Sequence, residues 1–297
     1  MYKLLKNDNI LGAAWMLGFI LNITIMAISI RELSSKYSSF EIQNFRNIFS
    51  IIIILLIYVL KSNTQIKTYQ IQTNFIRNIF HFIGQSAWTW GLTVLPLAVV
   101  FSIEFTMPIW AAILSLIIFK EKITLNKILF LILGLLGTWI ILMPDAKYIG
   151  LYNIIVLSSA ITYAIAHNFT KKLTNTDSIL SILFFMSVLQ LPLSLIGSLI
   201  IGDIHYNIIK EAPLIILLTI TSLLAHYSLS SALKNAEASI VLPIDYIRLP
   251  LILFVGWYYY GEIISSNTLI GSILIIFGVI IFLNRDYNNK KSQDYLE

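Results

Sequence analysis

Long apolar runs alternate with short charged or turn-forming links along almost the whole chain. The charge-poor segments fall at about 10–30, 41–60, 71–93, 97–119, 126–143, 149–170, 178–201, 212–233, 238–260 and 265–284. Each is close to the roughly 17–25 residues that a helix needs to cross the hydrocarbon of a bilayer. The links "KSNTQIK", "KEKITLNK", "PDAKY", "KKLTNTD" and "GEIISSN" punctuate them with lysine, proline, asparagine and glycine. The pattern predicts an all-α integral membrane protein of ten transmembrane helices. Two lysines precede the first apolar run as they would in a signal peptide, but that run exceeds an h-region of about 7–15 residues, so it reads as a retained first span.

Loop charge tests the count and sets an orientation, because cytoplasmic loops are enriched in Lys and Arg. With the N-terminus inside, the cytoplasmic segments hold Lys3, Lys6, Lys61, Lys67, Lys120, Lys122, Lys127, Lys171, Lys172, Lys234, Arg285, Lys290 and Lys291. The outer segments hold Arg31, Lys36, Lys147 and Lys210, so the split is thirteen against four, and both termini are expected in the cytoplasm. Arg46, Arg77 and Arg248 lie within spans.

An offset of 141 residues matches Gly91–Leu92 with Ala232–Leu233, Glu104 with Asp245, Glu121 with Glu262 and Gly137 with Gly278. The chain therefore reads as two five-helix units, 10–143 and 149–284, followed by a cytoplasmic tail, 285–297. Five is odd, so the second unit enters from the opposite face, giving two inverted repeats of the kind found in secondary transporters.

Composition narrows the function. Hydrophobic residues make up 58% of the 297 positions and charged residues only 12%, against roughly 25% charged in soluble domains. The net charge of +5 is explained by the cytoplasmic loops rather than by a nucleic-acid partner. Cysteine is absent, which removes disulfides, thiolate metal sites and cysteine nucleophiles. No phosphate-binding loop or H-E-x-x-H motif is present, so the chain does not hydrolyse ATP by a motif of its own and carries no metalloprotease signature. Its expected partners are the lipid bilayer and a small polar metabolite, with no cofactor and no metal.

Ionisable groups inside spans are expensive and are functional candidates by default. Glu104 precedes the centre of the fourth span by about 6 Å, and Asp245 precedes the centre of the ninth by the same interval. Each lies beside backbone loosened by a proline four or five residues on, Pro108 or Pro250, which displaces the carbonyl of Glu104 or Tyr246. Such backbone is tolerated where it faces protein or a watery cavity. Arg248 follows Asp245 at i+3, where the two can neutralise each other; alternatively Arg248 grips a substrate carboxylate while Glu104 faces a cationic group. The charge of Glu104 is repaid by such a group or a transported proton, or by a structural ion pair with Arg248, about 7.5 Å away in depth at 1.5 Å per residue. On the third span Arg77, His81, Gln85 and Trp88 recur at i, i+4, i+8 and i+11, one polar stripe suited either to a cavity wall or to helix contacts. Tyr163 and His167, His226 and Ser230, and Trp15 and Asn22 repeat the pattern on the sixth, eighth and first spans. Arg46 and Arg77 are expected nearer the cytoplasmic ends of their helices, snorkelling to the surface. Glu121 and Glu262 read as solvated loop acids or as caps of a neighbouring helix in their own repeat. The candidate substrate-binding residues are thus Glu104, Asp245, Tyr246, Arg248, His81, Gln85, Trp88, Tyr163 and His226. An intramembrane enzyme using His81, His167 or His226 with a metal is the competing class.

Several stretches carry a resemblance: "FRNIF" at 45–49, "IRNIFHFIGQSAWTWGLTVLPLA" at 76–98, the spacing from Pro108 to Glu121, and "LPIDYIRLPLILFVGWYYYGE" at 242–262. They resemble the drug/metabolite transporter superfamily in its EamA branch of ten-helix carriers. "IDYIRLP" and "AWTWGL" look most like the group that includes S-adenosylmethionine uptake carriers of intracellular bacteria. The resemblance implies a non-enzymatic secondary carrier in the bacterial inner membrane, working by alternating access on a small metabolite, with export of amino acids or other metabolites as the alternative.

Overall fold

A computed structural model describes residues 2–61, 65–107, 110–111, 114, 125–142, 151–202, 205, 208–236, 241–262, 266–267, 269–271, 273–274 and 276–278. Its described elements are helices: α1 (Tyr2–Leu33), α2 (Ser39–Leu60), α3 (Ile71–Val94), α4 (Leu97–Glu104), α5 (Leu125–Leu142), α6 (Leu151–Leu173), α7 (Ile179–Ile201), α8 (Ala212–Asn235), a 3₁₀ turn (Leu242–Ile247) and α9 (Arg248–Tyr260). Further helical residues lie between 266 and 278. The expectations for Pro108, Glu121, the 143–150 boundary and the 285–297 tail fall outside the described residues.

Four of these helices are long and apolar enough to span a membrane: α1 from Ile10, α2, α7 and α8. The side chains are distributed as lipid requires. Leu55, Leu56, Leu199, Ile200, Phe254 and Trp257 are exposed on the outside, whereas His81, Gln85, Gln190, Ser194 and Arg248 are buried within. Polar groups inside and apolar groups outside is the arrangement of a bundle solvated by hydrocarbon. The protein is an all-α, multi-pass membrane protein.

Helix pairing follows a pseudo-two-fold axis that exchanges the repeats. α1 packs on α8 and α3 on α6, pairs that the exchange interconverts, while α2 packs on α7 and α4 on α9, pairs that it maps onto themselves. The ends of the helices repeat the same relation. The Arg31 guanidinium donates to the carbonyls of Leu92 and Leu95 at 2.6 and 2.7 Å, closing the C-terminus of α3. Lys171 donates to the carbonyls of Leu233 and Ala236, closing that of α8. A cation placed on orphan carbonyls also complements the helix dipole. Ser38 and Ser178 cap α2 and α7 in the same manner, each accepting from the backbone N–H three residues on.

The loops meet in matching pairs. Lys36 pairs with Glu211, which holds the lysine above and the glutamate below their ordinary pKa through that hydrogen bond. On the other face Asp177 accepts from Thr68 Oγ1 at 2.5 Å and from the Tyr69 backbone at 3.0 Å. Glu262 accepts from the Leu97 N–H at 3.0 Å and so caps α4. Of the two readings the sequence left open, solvated loop acid or cap, Glu262 is a cap, but it joins the other repeat's fourth helix and not a helix of its own repeat.

Candidate functional site

The fourth and ninth spans are both interrupted where the acids lie. α4 ends at Glu104, with Phe105 and Thr106 in a turn, and the ninth span runs as a 3₁₀ turn through Asp245 and Tyr246 before α9 begins at Arg248. Pro250 falls in the first turn of α9, where a missing N–H does least harm. The two breaks face each other: the Tyr246 hydroxyl donates to the Phe105 carbonyl at 2.6 Å, satisfying an acceptor that the broken helix exposes. Gly134 on α5 lets this hydroxyl approach, since a Cβ there would lie 3.1 Å from it.

At the junction sits a buried triad. Arg248 Nη2 donates to Glu104 Oε1 at 2.8 Å and to Asp245 Oδ2 at 2.6 Å. Trp88 Nε1 donates to the other Glu104 oxygen at 2.8 Å. The guanidinium is enclosed by aromatic rings, with centroids at 4.8 Å for Phe101, 5.2 Å for Phe105 and 5.7 Å for Phe19, an arrangement favourable to a cation. Asp245 Oδ1 and Arg248 Nε and Nη1 have no hydrogen-bond partner among the described residues. Sequence spacing allowed a local Asp245–Arg248 pair, and left Glu104 either to a substrate cation or proton or to an ion pair with Arg248. The facing breaks bring Arg248 to Glu104 from the other repeat, so the ion pair is the arrangement present.

The stripe on α3 continues away from the triad. Gln85 accepts from the Tyr163 hydroxyl at 3.2 Å and donates to Thr89 Oγ1 at 3.0 Å. The His81 ring lies 4.9 Å from that of His226 and 5.4 Å from that of Tyr163, while Tyr163 stacks on His167 at 5.8 Å. His81 Nδ1 meets Gln190 Nε2 at 3.0 Å; His81 Nε2, His226 Nε2 and His167 Nδ1 lack partners among the described residues. Among these residues no three His, Cys, Asp or Glu side chains could hold a metal ion.

Beyond the histidines the stripe reaches two arginines that depart from expectation. Arg46 and Arg77 are buried, each 2% exposed, and do not snorkel. Arg46 also lies about 10 Å past the start of α2 at 1.5 Å per residue, in the outer half of that helix in the orientation above and not near its cytoplasmic end. Arg46 Nη2 donates to Gln190 Oε1 and Asn47 Oδ1, both at 3.1 Å. Arg77 donates to Asn78 Oδ1 at 2.7 Å and Thr170 Oγ1 at 3.1 Å. Sequence reasoning missed Gln190, which ties Arg46 to His81; its only signal was an amide at the centre of an apolar span. Trp15 packs edge-on against Tyr227 at 5.6 Å, and Asn22 bonds to Gly18 of its own helix at 2.8 Å, so these two serve packing. Ser230 is buried on α8.

The structure thus unites Glu104, Asp245, Arg248 and Trp88 directly, with Tyr246 beside them, and groups Gln85, Tyr163, His81 and His226 in a second cluster along α3.

The profile of the EamA-like transporter family matches residues 10–143 and 150–284. An S-adenosylmethionine uptake transporter of Rickettsia prowazekii is 25% identical over 95% of this chain and 94% of its own. A riboflavin transporter of Vibrio cholerae is 24% identical over 97% of both chains. A solved crystal structure aligns with a TM-score of 0.72 and 13% identity, covering 91% of this chain and 95% of that one, a likeness of fold alone.

Proposed function

Because the chain belongs to the EamA-like transporter family, we propose that it imports S-adenosylmethionine across the bacterial inner membrane by alternating access, with both termini in the cytoplasm. It is a transporter of small metabolites and not an enzyme. The observation that carries the finer reading is the triad on the two broken helices. Counting formal charges, Glu104 and Asp245 against Arg248 leave −1, and this negative charge sits beside Trp88, Phe101 and the hydroxyl and imidazole groups along α3. A cationic metabolite with a planar base suits that lining: the sulfonium is drawn to the carboxylates and to aromatic faces, and the adenine stacks on flat rings.

The candidate residues divide accordingly. Glu104 and Asp245 attract the cation, Arg248 and Trp88 hold the carboxylates in place, Tyr246 spans the two breaks, and Gln85, Tyr163, His81 and His226 form the wall. Names borne by relatives over nearly their full length support the substrate. The riboflavin transporters among the relatives favour a second reading, a planar uncharged substrate for the same wall.

Uptake and counterflow in proteoliposomes distinguish them. Labelled S-adenosylmethionine is expected to accumulate and to exchange against unlabelled S-adenosylmethionine, with riboflavin, amino acids and nucleotides competing weakly. Transport of riboflavin with no S-adenosylmethionine flux would overturn the assignment.

A further inference from the structure

Arg46 and Arg77 stand apart from the triad and are not explained by it. Among the described residues neither makes an ion pair, although both are 2% exposed. Their partners are neutral amides and a hydroxyl: Asn47 and Gln190 for Arg46, Asn78 and Thr170 for Arg77. The two groups belong to one network, since Gln190 Nε2 meets Asn78 Oδ1 at 3.4 Å while its oxygen accepts from Arg46. Among the described residues Arg46 Nη1 has no partner, nor have the neighbouring His81 Nε2 and His226 Nε2.

Dipoles solvate a buried cation without neutralising it, and buried charges are ordinarily paired. Two guanidiniums contribute +2 here and the triad contributes −1, so these five described groups sum to +1. An anion therefore has an electrostatic reason to enter, and a choice of poles. Next to Arg248 it would meet one cation and two carboxylates; next to Arg46 and Arg77 it would meet two cations and no carboxylate among the described residues. The poles are separated along α3 by the rise from Arg77 to Trp88, about 16 Å at 1.5 Å per residue, with His81 and Gln85 between. A planar guanidinium with free N–H groups fits a carboxylate edge better than a spherical ion.

We propose that Arg46 and Arg77 form an anion pole on the transport path that seats a carboxylate of the transported metabolite at a position distinct from the triad, while Arg248 stays committed to Glu104 and Asp245. The short carbon chain between the carboxylate and the sulfonium of S-adenosylmethionine does not reach across the poles, so for that substrate the pole and the triad are successive stations rather than two ends of one bound pose. This rests on the transporter reading above but not on S-adenosylmethionine being the substrate. It reassigns the carboxylate-gripping role that spacing offered to Arg248.

The test uses the full chain in lipid nanodiscs at constant ionic strength, with two readouts. In the first, sodium acetate or sodium phosphate replaces sodium chloride during thermal unfolding. Acetate is expected to raise the melting temperature of the wild type saturably, as a ligand of the folded state does, with a smaller effect in Arg46→Gln or Arg77→Gln and none in the double variant. A wild type indifferent to acetate, a double variant that responds like the wild type, or a larger response to phosphate than to acetate would each overturn the proposal. Should the double variant not fold, Arg46→Lys and Arg77→Lys replace it; they keep the charge but lose the fork, so a weaker acetate response is expected and an undiminished one counts against a guanidinium site.

In the second readout, S-adenosylmethionine is compared with its decarboxylated analogue. The wild type is expected to bind the carboxylated form about tenfold more tightly, the scale of a lost charge-assisted contact, and the double glutamine variant to bind both alike. Equal binding of both by the wild type overturns the pole. Binding of neither, with an acetate response that tracks the arginines, sinks the S-adenosylmethionine reading and leaves the pole standing.

Discussion

A single nitrogen, Nη2 of Arg248, holds two carboxylates from opposite repeats, and this makes the three substitutions at the triad unequal. Glu104→Gln leaves Arg248 neutralised by Asp245, and the glutamine oxygen can still accept from Trp88. Arg248→Gln leaves two buried carboxylates facing each other with no cation between them. Removing one side of a buried ion pair costs about 3–5 kcal/mol, so Arg248→Gln is expected to lower thermal stability by that order, and Glu104→Gln by much less. Glu104→Gln, Asp245→Asn and Arg248→Gln combined remove every charge of the triad and are expected to regain most of the stability without regaining transport. Thermal unfolding beside uptake rates reads this, and a triple variant less stable than Arg248→Gln would contradict it. The charges themselves were legible in the sequence because acids and arginines in apolar spans are rare. Their pairing was legible only in part: Asp245 and Arg248 are i,i+3 neighbours and a Glu104–Arg248 pair was one of the readings open to Glu104, but spacing reports only neighbours on one helix and could not choose it, because Glu104 finds Arg248 from 144 positions away. Arg46 and Arg77 were misread for the same reason: Gln190 and Thr170, the groups that solvate them, lie on α7 and α6.

At the level of elements, the helix ends carry the symmetry more clearly than the apolar runs do. Arg31 and Lys171 are 140 positions apart, whereas the carbonyls they cap, at Leu92 and Leu233 or Leu95 and Ala236, are 141 apart. The offset of 141 found from the acids thus shifts by one residue between the first helix of a repeat and its third, which is why these caps escaped a fixed-offset comparison. Each cap satisfies carbonyls that lipid cannot. Arg31→Met and Lys171→Met keep an apolar stem and lose the charge, and each is expected to destabilise the fold by about 1–3 kcal/mol, the range for a hydrogen bond to a charged group or the unsatisfied acceptor it leaves. Equal melting temperatures for both variants and the wild type would show that water reaches those carbonyls. The broken spans were legible from their prolines, but the tie between them, Tyr246 to Phe105, needed the fold to bring the fourth and ninth helices face to face.

The pairing of α1 with α8 and α3 with α6 joins the repeats across the whole molecule, so orientation and motion are both open to test at these seams. Reporter fusions after positions 64 and 174 are expected to signal from the cytoplasm, and fusions after 146 and 206 from outside; a cytoplasmic signal at 146 would break the inverted topology that the lysine distribution implies. The seam between α1 and α8 is close enough to cross-link. A Cβ added at Gly18 would lie 3.7 Å from the Ser228 Cβ, inside the roughly 3.5–4.5 Å that a disulfide spans. The chain has no cysteine of its own, so Gly18→Cys with Ser228→Cys gives one possible bridge and no background. Mild oxidation is expected to form it within one chain, visible as a faster-migrating band on a non-reducing gel. Alternating access by rocking of the repeats requires relative movement of helices that meet at such seams. The bridged protein should therefore bind substrate but transport it at a small fraction of the reduced rate, and reduction should restore the flux. Unimpaired transport in the fully bridged protein would show that α1 and α8 move as one body, and would shift the moving boundary to the seam of α4 with α9, where the charged triad lies.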